Sequence, residues 1–531
     1  MRHTRCWPWI VSIVWLAATV ESLRATSPDV SSVSPTGGTR GSDVELLLRG
    51  ARLANAQELL LYEPGLAVAK IEPVGPNGDQ VKALIKIAPD ARLGEYHLRL
   101  RTTSGLSRLH TFWVGRLPVV AETEPNSNFA QPQKIALNTT VAGIAANEDI
   151  DYYAVEAKKG QLITAEVEAI RLGRALSDVS VAILDAKRFE LDAADDTPLL
   201  AQDGFAQAIA PADGTYIVSI RESSFAGADN FVYRLHIGDF PRPTAVYPAG
   251  GQAGQPLAVS YLGDKLGPMA AELKLPDQPT ARFAALAERD GRSAMSANPL
   301  RVSPFANVLE IEPNNGFDRA MSPTGVPIAL NGIIGEPRDV DIFRITLAQG
   351  QVVDLRVFAR TLGSPLDPVL DMFDASGKHL GGNDDEGANF DSFLRFTAPA
   401  AGEYFVHLRD QLLGGGADYV YRVEVTPVAP RLTLTIPEVA RNDNQTRQWI
   451  AVPRGNRWTA LFQANRYDFG GPLQLSADDL PPGVTMHAPQ VSPNVGTVAV
   501  VFEAAADAPL SGKLVDLRAQ HADANAKIAG G

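Results

Sequence analysis

Cysteine is almost missing from this sequence. The one Cys, at position 6, lies beside the first apolar stretch. The rest of the chain therefore has no thiol for a disulfide, a soft-metal site or a nucleophile. Long hydrophobic runs are equally scarce. Residues 9–20 form one, shorter than the roughly 20 residues that a membrane-spanning helix needs. Arg2 and Arg5 precede it and small residues follow near Ser22 and Ala25, so residues 1–25 read as a secretory signal peptide. That reading predicts a protein exported to the periplasm or the cell exterior, with no stable membrane insertion after cleavage. Basic patches with interleaved aromatics are absent and the formal charge is −13, which argues against a nucleic-acid partner.

Catalytic signatures are lacking too. No H-E-x-x-H or G-x-S-x-G occurs, and the eight His are scattered without metal-ligand spacing. His97, His110, His236 and His407 each fall in a predicted strand, where an ordinary sheet position accounts for them. Glu122 and Glu124 are a paired-carboxylate candidate for glycoside chemistry, but they stand together on one strand and flank no cleft. The sequence nominates no catalytic residue, and the chain is expected to be non-enzymatic.

Helical heptads are missing as well. Short runs rich in Val, Ile, Leu, Phe and Tyr alternate with Gly, Pro, Asn and Asp clusters, with 38 Pro and 45 Gly in 531 residues. This is an all-β pattern, and the length calls for several cores. The expected fold is a tandem array of β-sandwich domains, jelly-roll or immunoglobulin-like: 27–117, 118–240, 241–305, 306–427 and a last segment at 430–531.

What the chain does have is repetition. Glu122-Thr123-Glu124-Pro125-Asn126 recurs 188 residues on (124 to 312) as Glu310-Ile311-Glu312-Pro313-Asn314. A second acidic pair follows each copy, Asp149 with Asp151 and Asp339 with Asp341. Residues i and i+2 of an extended strand share a face, so each pair presents two carboxylates together. Four carboxylates meeting in space would repel, and a hard cation with six to eight oxygen ligands, such as Ca2+, resolves that conflict. The competing reading is a solvated turn whose carboxylates never converge. A further acidic run, Asn383-Asp384-Asp385-Glu386, reads as a solvated loop.

A second repeat interleaves with the first. Pro35, Gly37, Gly38, Gly41, Gly50 and Leu53 match Pro248, Gly250, Gly251, Gly254, Gly263 and Leu266, 213 residues on (37 to 250). The second copy is about 25 residues shorter, because 213 exceeds 188 by 25. Turn geometry is the expected role of these glycines. The P-x-G-G opening resembles TIG-type immunoglobulin-like domains. The ~120-residue acidic modules, with E-x-E-P-N, D-x-D-[YI]-[YF] and a closing G-x-Y strand, resemble the bacterial pre-peptidase C-terminal (PPC) domain. That family is a β-sandwich often appended to secreted proteases, and it is similar to the collagen-binding domains of clostridial collagenases. The resemblance implies a calcium ligand set of Glu122, Glu124, Asn126, Asp149 and Asp151 in the first copy. In the second it implies Glu310, Glu312, Asn314, Asp339 and Asp341. Tyr216, Tyr233, Tyr404 and Tyr421 alternate with polar residues and are expected to pack in the cores. The expected function is calcium-stabilised, non-catalytic binding or adhesion to an extracellular protein or polysaccharide. An accessory region of a secreted hydrolase and a structural envelope protein are the alternatives.

Overall fold

The computed structural model describes residues 27–75, 77–387, 389–436 and 449–531; the signal-peptide reading lies outside them. The fold is all-β, and five large apolar cores follow one another along the described chain. In the first acidic module one sheet runs in the order Gln133–Lys134, Asp151–Ala157, Gly214–Glu222, Val179–Asp185, Glu190–Ala194. The facing sheet runs Phe205–Ile209, Leu162–Glu168, Val232–Gly238, Thr139–Ile144, Val119–Ala121. Between them lie Val141, Tyr153, Ile163, Val181, Val218 and Leu235, all buried. The second acidic module repeats this sandwich, with one sheet built on Ile328–Ile333, Val420–Pro427 and Val352–Phe358 and the other on Val340–Leu347, Gly402–Asp410 and Pro368–Asp374.

The modules are joined by buried charge. Arg234 and Arg422 occupy the same place in the two closing strands, each just after a buried tyrosine. The period-2 alternation sends the tyrosine into its own module and the arginine out against the preceding immunoglobulin-like one. Arg234 donates to Glu168 at 2.5 Å, and His236 approaches the same carboxylate at 3.3 Å. Burial alone would raise the Glu168 pKa; the Arg234 and His236 charges outweigh it and hold the group well below the usual carboxylate range. Arg422 pairs with Glu424 at 3.0 Å and donates to Ser303 at 2.8 Å and to Asn307 at 2.7 Å; Arg301 also reaches Glu424, at 2.8 Å. These arginines correct the turn reading of the leading glycines. Gly41, Gly254 and Gly263 do sit at positive φ (76°, 73° and 80°). Gly37 and Gly250 do not. A Cβ on Gly37 would stand 2.2 Å from the Trp113 carbonyl oxygen and 3.1 Å from Arg234 Nε. One on Gly250 would stand 2.4 Å from the Arg301 carbonyl oxygen and 2.8 Å from Arg422 Cδ. They are glycine because a strand and an arginine press against them.

Other joints follow. Arg242 meets Glu166 at 3.0 Å between the first acidic module and the module after it, and Arg395 bridges Asp354 and Asp468 towards the last segment. Gly363 in the second acidic module packs on Leu199 of the first. The last segment returns to the first module: Gly512 lies against Tyr62 and Arg99, and Arg99 sits 5.8 Å from the Trp449 ring.

At the first joint, Thr111 donates to the Leu172 carbonyl and Arg174 to that of Thr111, both at 3.0 Å. Neighbouring His110 has a buried Nε2 without a hydrogen-bond partner. Burial first, then the charges of Arg174, Arg99 and Arg108, lower its pKa from 6.5 to about 4. A depressed histidine contributes stability that is complete above the unfolded value and lost as pH falls towards the folded one. The His110 share of stability should therefore shrink as pH falls from 6.5 to 4, by up to about 1.4 kcal/mol per pH unit. The stability difference between wild type and His110→Leu, followed by thermal melts across that window, isolates this share and should move against wild type as pH falls.

Candidate metal centre

Glu122 follows directly on the strand Val119–Ala121, and its amide continues the pairing by donating to Ala142 at 3.0 Å. The chain then leaves the sheet, so Glu124 lies in the loop and not on a strand as expected. Asp151 opens the strand Asp151–Ala157. Folding brings one carboxylate oxygen from each of Glu122, Glu124 and Asp151 within 4.8 Å of one another, and Glu310, Glu312 and Asp341 do the same. Glu124 and Glu312 are exposed, Glu122 and Glu310 half-buried, and Asp151 and Asp341 buried. Each cluster is thus a funnel with a wet rim and a dry floor.

Local hydrogen bonds fix this shape. Glu122 Oε2 accepts from Ile144 N at 3.0 Å, and Glu310 Oε1 from Ile333 N at 2.6 Å. Glu124 and Glu312 accept from the amides of Asn126 and Asn314 at 2.9 and 2.8 Å. On the floor, Tyr233 Oη lies 2.7 Å from Asp151 Oδ2 and 2.9 Å from Glu122 Oε1, and Tyr153 Oη lies 2.8 Å from the same Glu122 oxygen. In the second copy Tyr421 Oη is 2.5 Å from Asp341 Oδ2, and Phe343 replaces the second tyrosine.

The electrostatics are those of a site short of positive charge. Burial first, and then the Glu122 charge, push the Asp151 carboxyl well above its ordinary range, with the Tyr233 hydrogen bond opposing. Burial and Glu310 do the same to Asp341, and burial raises Glu310 as well. The floor also carries polar atoms without hydrogen-bond partners: Oδ1 of Asn126 and Asp151, and Oδ1 of Asn314 and Asp341. Asn126, Asn314 and Asp341 are 0% exposed and Asp151 1%. Such orphaned oxygens are costly in a folded interior unless a ligand meets them. The donor set of each trio is three carboxylates, oxygen throughout, and it fits a hard cation of the calcium class.

Asp149 and Asp339 do not join the trios. Asp149 Oδ1 accepts from Ser127 Oγ at 2.6 Å and from Ile150 N at 2.8 Å. Asp339 accepts from Asn315 Nδ2 at 2.6 Å and from the amides of Val340 and Gly335 at 2.8 and 2.7 Å. They shape the loop behind the floor. Both residues at the Ser127/Asn315 position serve as donors to that aspartate. All four tyrosines are buried; Tyr216 and Tyr404 bond carbonyls four residues upstream. Sequence reasoning left Tyr153, Tyr233 and Tyr421 out of the site, although the repeated Val-Tyr-Arg of the closing strands marks the last two. It also left out Tyr247. This residue comes from the preceding immunoglobulin-like module, stands 3.3 Å from the Asn331 carbonyl, and has its pKa raised by burial and then by Glu310 and Asp341. Its first-copy counterpart is Ser34, so the second site alone has such a neighbour.

A duplicated β-sandwich with an acidic funnel at its entry strand is the class that fold and site define. Residues 339–410 match the bacterial pre-peptidase C-terminal domain, so the second acidic module is a PPC domain. The first shares its strand order and site. A probable subtilase-type serine protease of Deinococcus radiodurans is 39% identical over 119 residues, 22% of this chain and 15% of the relative, so the chain spans a small part of that protein. Among solved structures, the pre-peptidase C-terminal domain of a Bacillus anthracis collagenase is 16% identical. It covers 20% of this chain and 94% of its own at a TM-score of 0.17. SGBP-B of the Bacteroides ovatus mixed-linkage glucan utilization locus is 8% identical, covering 75% and 74% at a TM-score of 0.15.

Proposed function

We propose that this chain is an exported, non-catalytic binding or accessory protein whose two PPC domains each take up one Ca2+. The observation that carries the reading is the pair of acidic funnels, each with three converging carboxylates, a floor aspartate whose pKa burial and the neighbouring glutamate raise, and buried oxygens lacking partners. Glu122, Glu124, Asp151 and Asn126 would hold one ion, and Glu310, Glu312, Asp341 and Asn314 the other. The ion would neutralise the floor and tie the entry strand to the sheet; it has no reaction to perform. The PPC domain and the subtilase-type relative support an extracellular setting, in which the array supports or targets a binding event at an extracellular protein or polysaccharide. No helix among the described residues is long and apolar enough to cross a membrane.

Calorimetric titration of calcium into the chelator-treated protein tests the reading. Two sites are expected, with one lost in Glu124→Ala and the other in Glu312→Ala. Absence of heat in the wild type would remove calcium from the proposal and leave the motif as a structural turn.

A further inference from the structure

The two immunoglobulin-like modules differ by one deletion, and strand pairing locates it. Asp43 pairs with Lys86 in the first module, and Pro256 pairs with Lys274 in the second. Asp43 and Pro256 are 213 apart, Lys86 and Lys274 only 188, so the lost residues lie between these partners. The strand His110–Gly115 likewise corresponds, at 188, to Asn298–Ser303. What the second module lacks is the hairpin made of Ala56–Leu61 and Leu66–Val74, the outermost strand of each sheet in the first module.

In the first module Leu66–Val74 runs antiparallel to Gln80–Ile87, from Leu66 opposite Ile87 to Val74 opposite Gln80. Its Leu66, Val68 and Ile71 pack on the core, and Ala83 and Ile85 beneath are buried. In the second module the counterpart of Gln80–Ile87 is Met269–Lys274. It pairs with Pro256–Leu262 on one side and ends the sheet on the other. Its outward backbone groups meet no hydrogen-bond partner among the described residues. Ala271, in the place of buried Ala83, is exposed; Leu273, in the place of Ile85, is half-buried, as is Phe283 on the facing sheet. The other edge opened by the deletion, Thr280–Ala285, is interrupted by a bulge, and its Arg282 side chain reaches the Thr361 carbonyl of the second PPC domain at 2.8 Å. Met269–Lys274 is the edge with unbroken register.

We infer that the edge Met269–Lys274 accepts one extended peptide segment of another polypeptide, antiparallel, in the position that Leu66–Val74 fills in the first module. Main-chain hydrogen bonds would supply the pairing. Alternate apolar side chains of the segment would cover Ala271, Leu273 and Phe283, as Leu66, Val68 and Ile71 cover the first core. Pro268 and Pro276 bracket the edge and limit the docked stretch to about six residues. Glu272 stands where Leu84 faces Lys70, so a basic residue at that point of the segment is favoured.

A synthetic peptide of residues 65–75 carrying a fluorophore is the probe, titrated with the mature chain and read by anisotropy. Saturable binding is expected, absent for a scrambled peptide and weakened at least tenfold by Ala271→Lys, an exposed substitution that should leave the melting temperature unchanged. Hydrogen exchange on the wild type should slow at amides of 269–274 when the peptide is present. No saturable binding, or binding with exchange unchanged at those amides, overturns the inference, whatever the variant does.

Discussion

With calcium at a hundredfold its dissociation constant, each occupied PPC domain should gain about 2.7 kcal/mol, a rise in melting temperature on the order of 10 °C for a domain of this size. The diagnostic result is a reversal of sign. Glu124→Gln and Glu312→Gln remove one carboxylate from an acidic trio, so without calcium they should melt no lower than wild type, because like-charge repulsion is relieved. With calcium they should melt lower, because the ligand is gone. A residue that merely caps a turn would lower stability in both conditions. The effect should also depend on pH. Asp151 and Asp341 have folded pKa values raised by burial and by Glu122 and Glu310. The stability linked to those protons is complete below the unfolded carboxylate value near 4 and lost as pH rises through the folded values. An ion takes the proton's place, so calcium stabilisation should grow with pH over that range and binding should release protons. Titrations in two buffers of different ionisation heat measure the release.

Arg234→Ala should cost roughly 3–5 kcal/mol, the penalty for stranding a buried partner charge. Glu168 would keep His236 beside it, at 3.3 Å, and the weaker pull of Arg171. The companion change Glu168→Leu should recover much of the loss, because it removes the stranded charge. Arg422→Ala should cost less, since Arg301 still holds both oxygens of Glu424 at 2.8 and 2.9 Å. Chemical denaturation of the three variants, followed by intrinsic tryptophan fluorescence, ranks them. Trp113 makes the first joint visible, as its carbonyl contacts Gly37.

The fold was readable because period-2 alternation, turn residues and a double internal repeat are local signals. Both E-x-E-P-N segments do converge with the second aspartate of the D-x-D that follows them, Asp151 and Asp341. What the sequence concealed is set by register and by neighbours in space. Asp149 and Asp151 looked equivalent on one strand face, yet the strand begins only at Asp151, and Asp149 turns back to Ser127. Tyr233 and Arg234 are adjacent letters, and only their opposite faces make one a member of the acidic floor and the other a bolt into the previous module. Gly37 and Gly250 looked like turn glycines because the arginines that exclude a side chain there, Arg234 and Arg422, lie 197 (234 − 37) and 172 (422 − 250) residues away. The 25-residue deficit was visible as a number, but which strands it removed required the pairing Pro256–Lys274.

The return of Gly512 and Trp449 onto Tyr62 and Arg99 makes the chain of modules a circuit. In an open string, breaking one joint lets everything beyond it diffuse away. In a circuit, the parted surfaces remain tethered by the other route, at an effective concentration of the millimolar order that short links impose. A weakened Arg234 joint would therefore open briefly and close again, and full separation of the first module would require its contact with the last segment to fail as well.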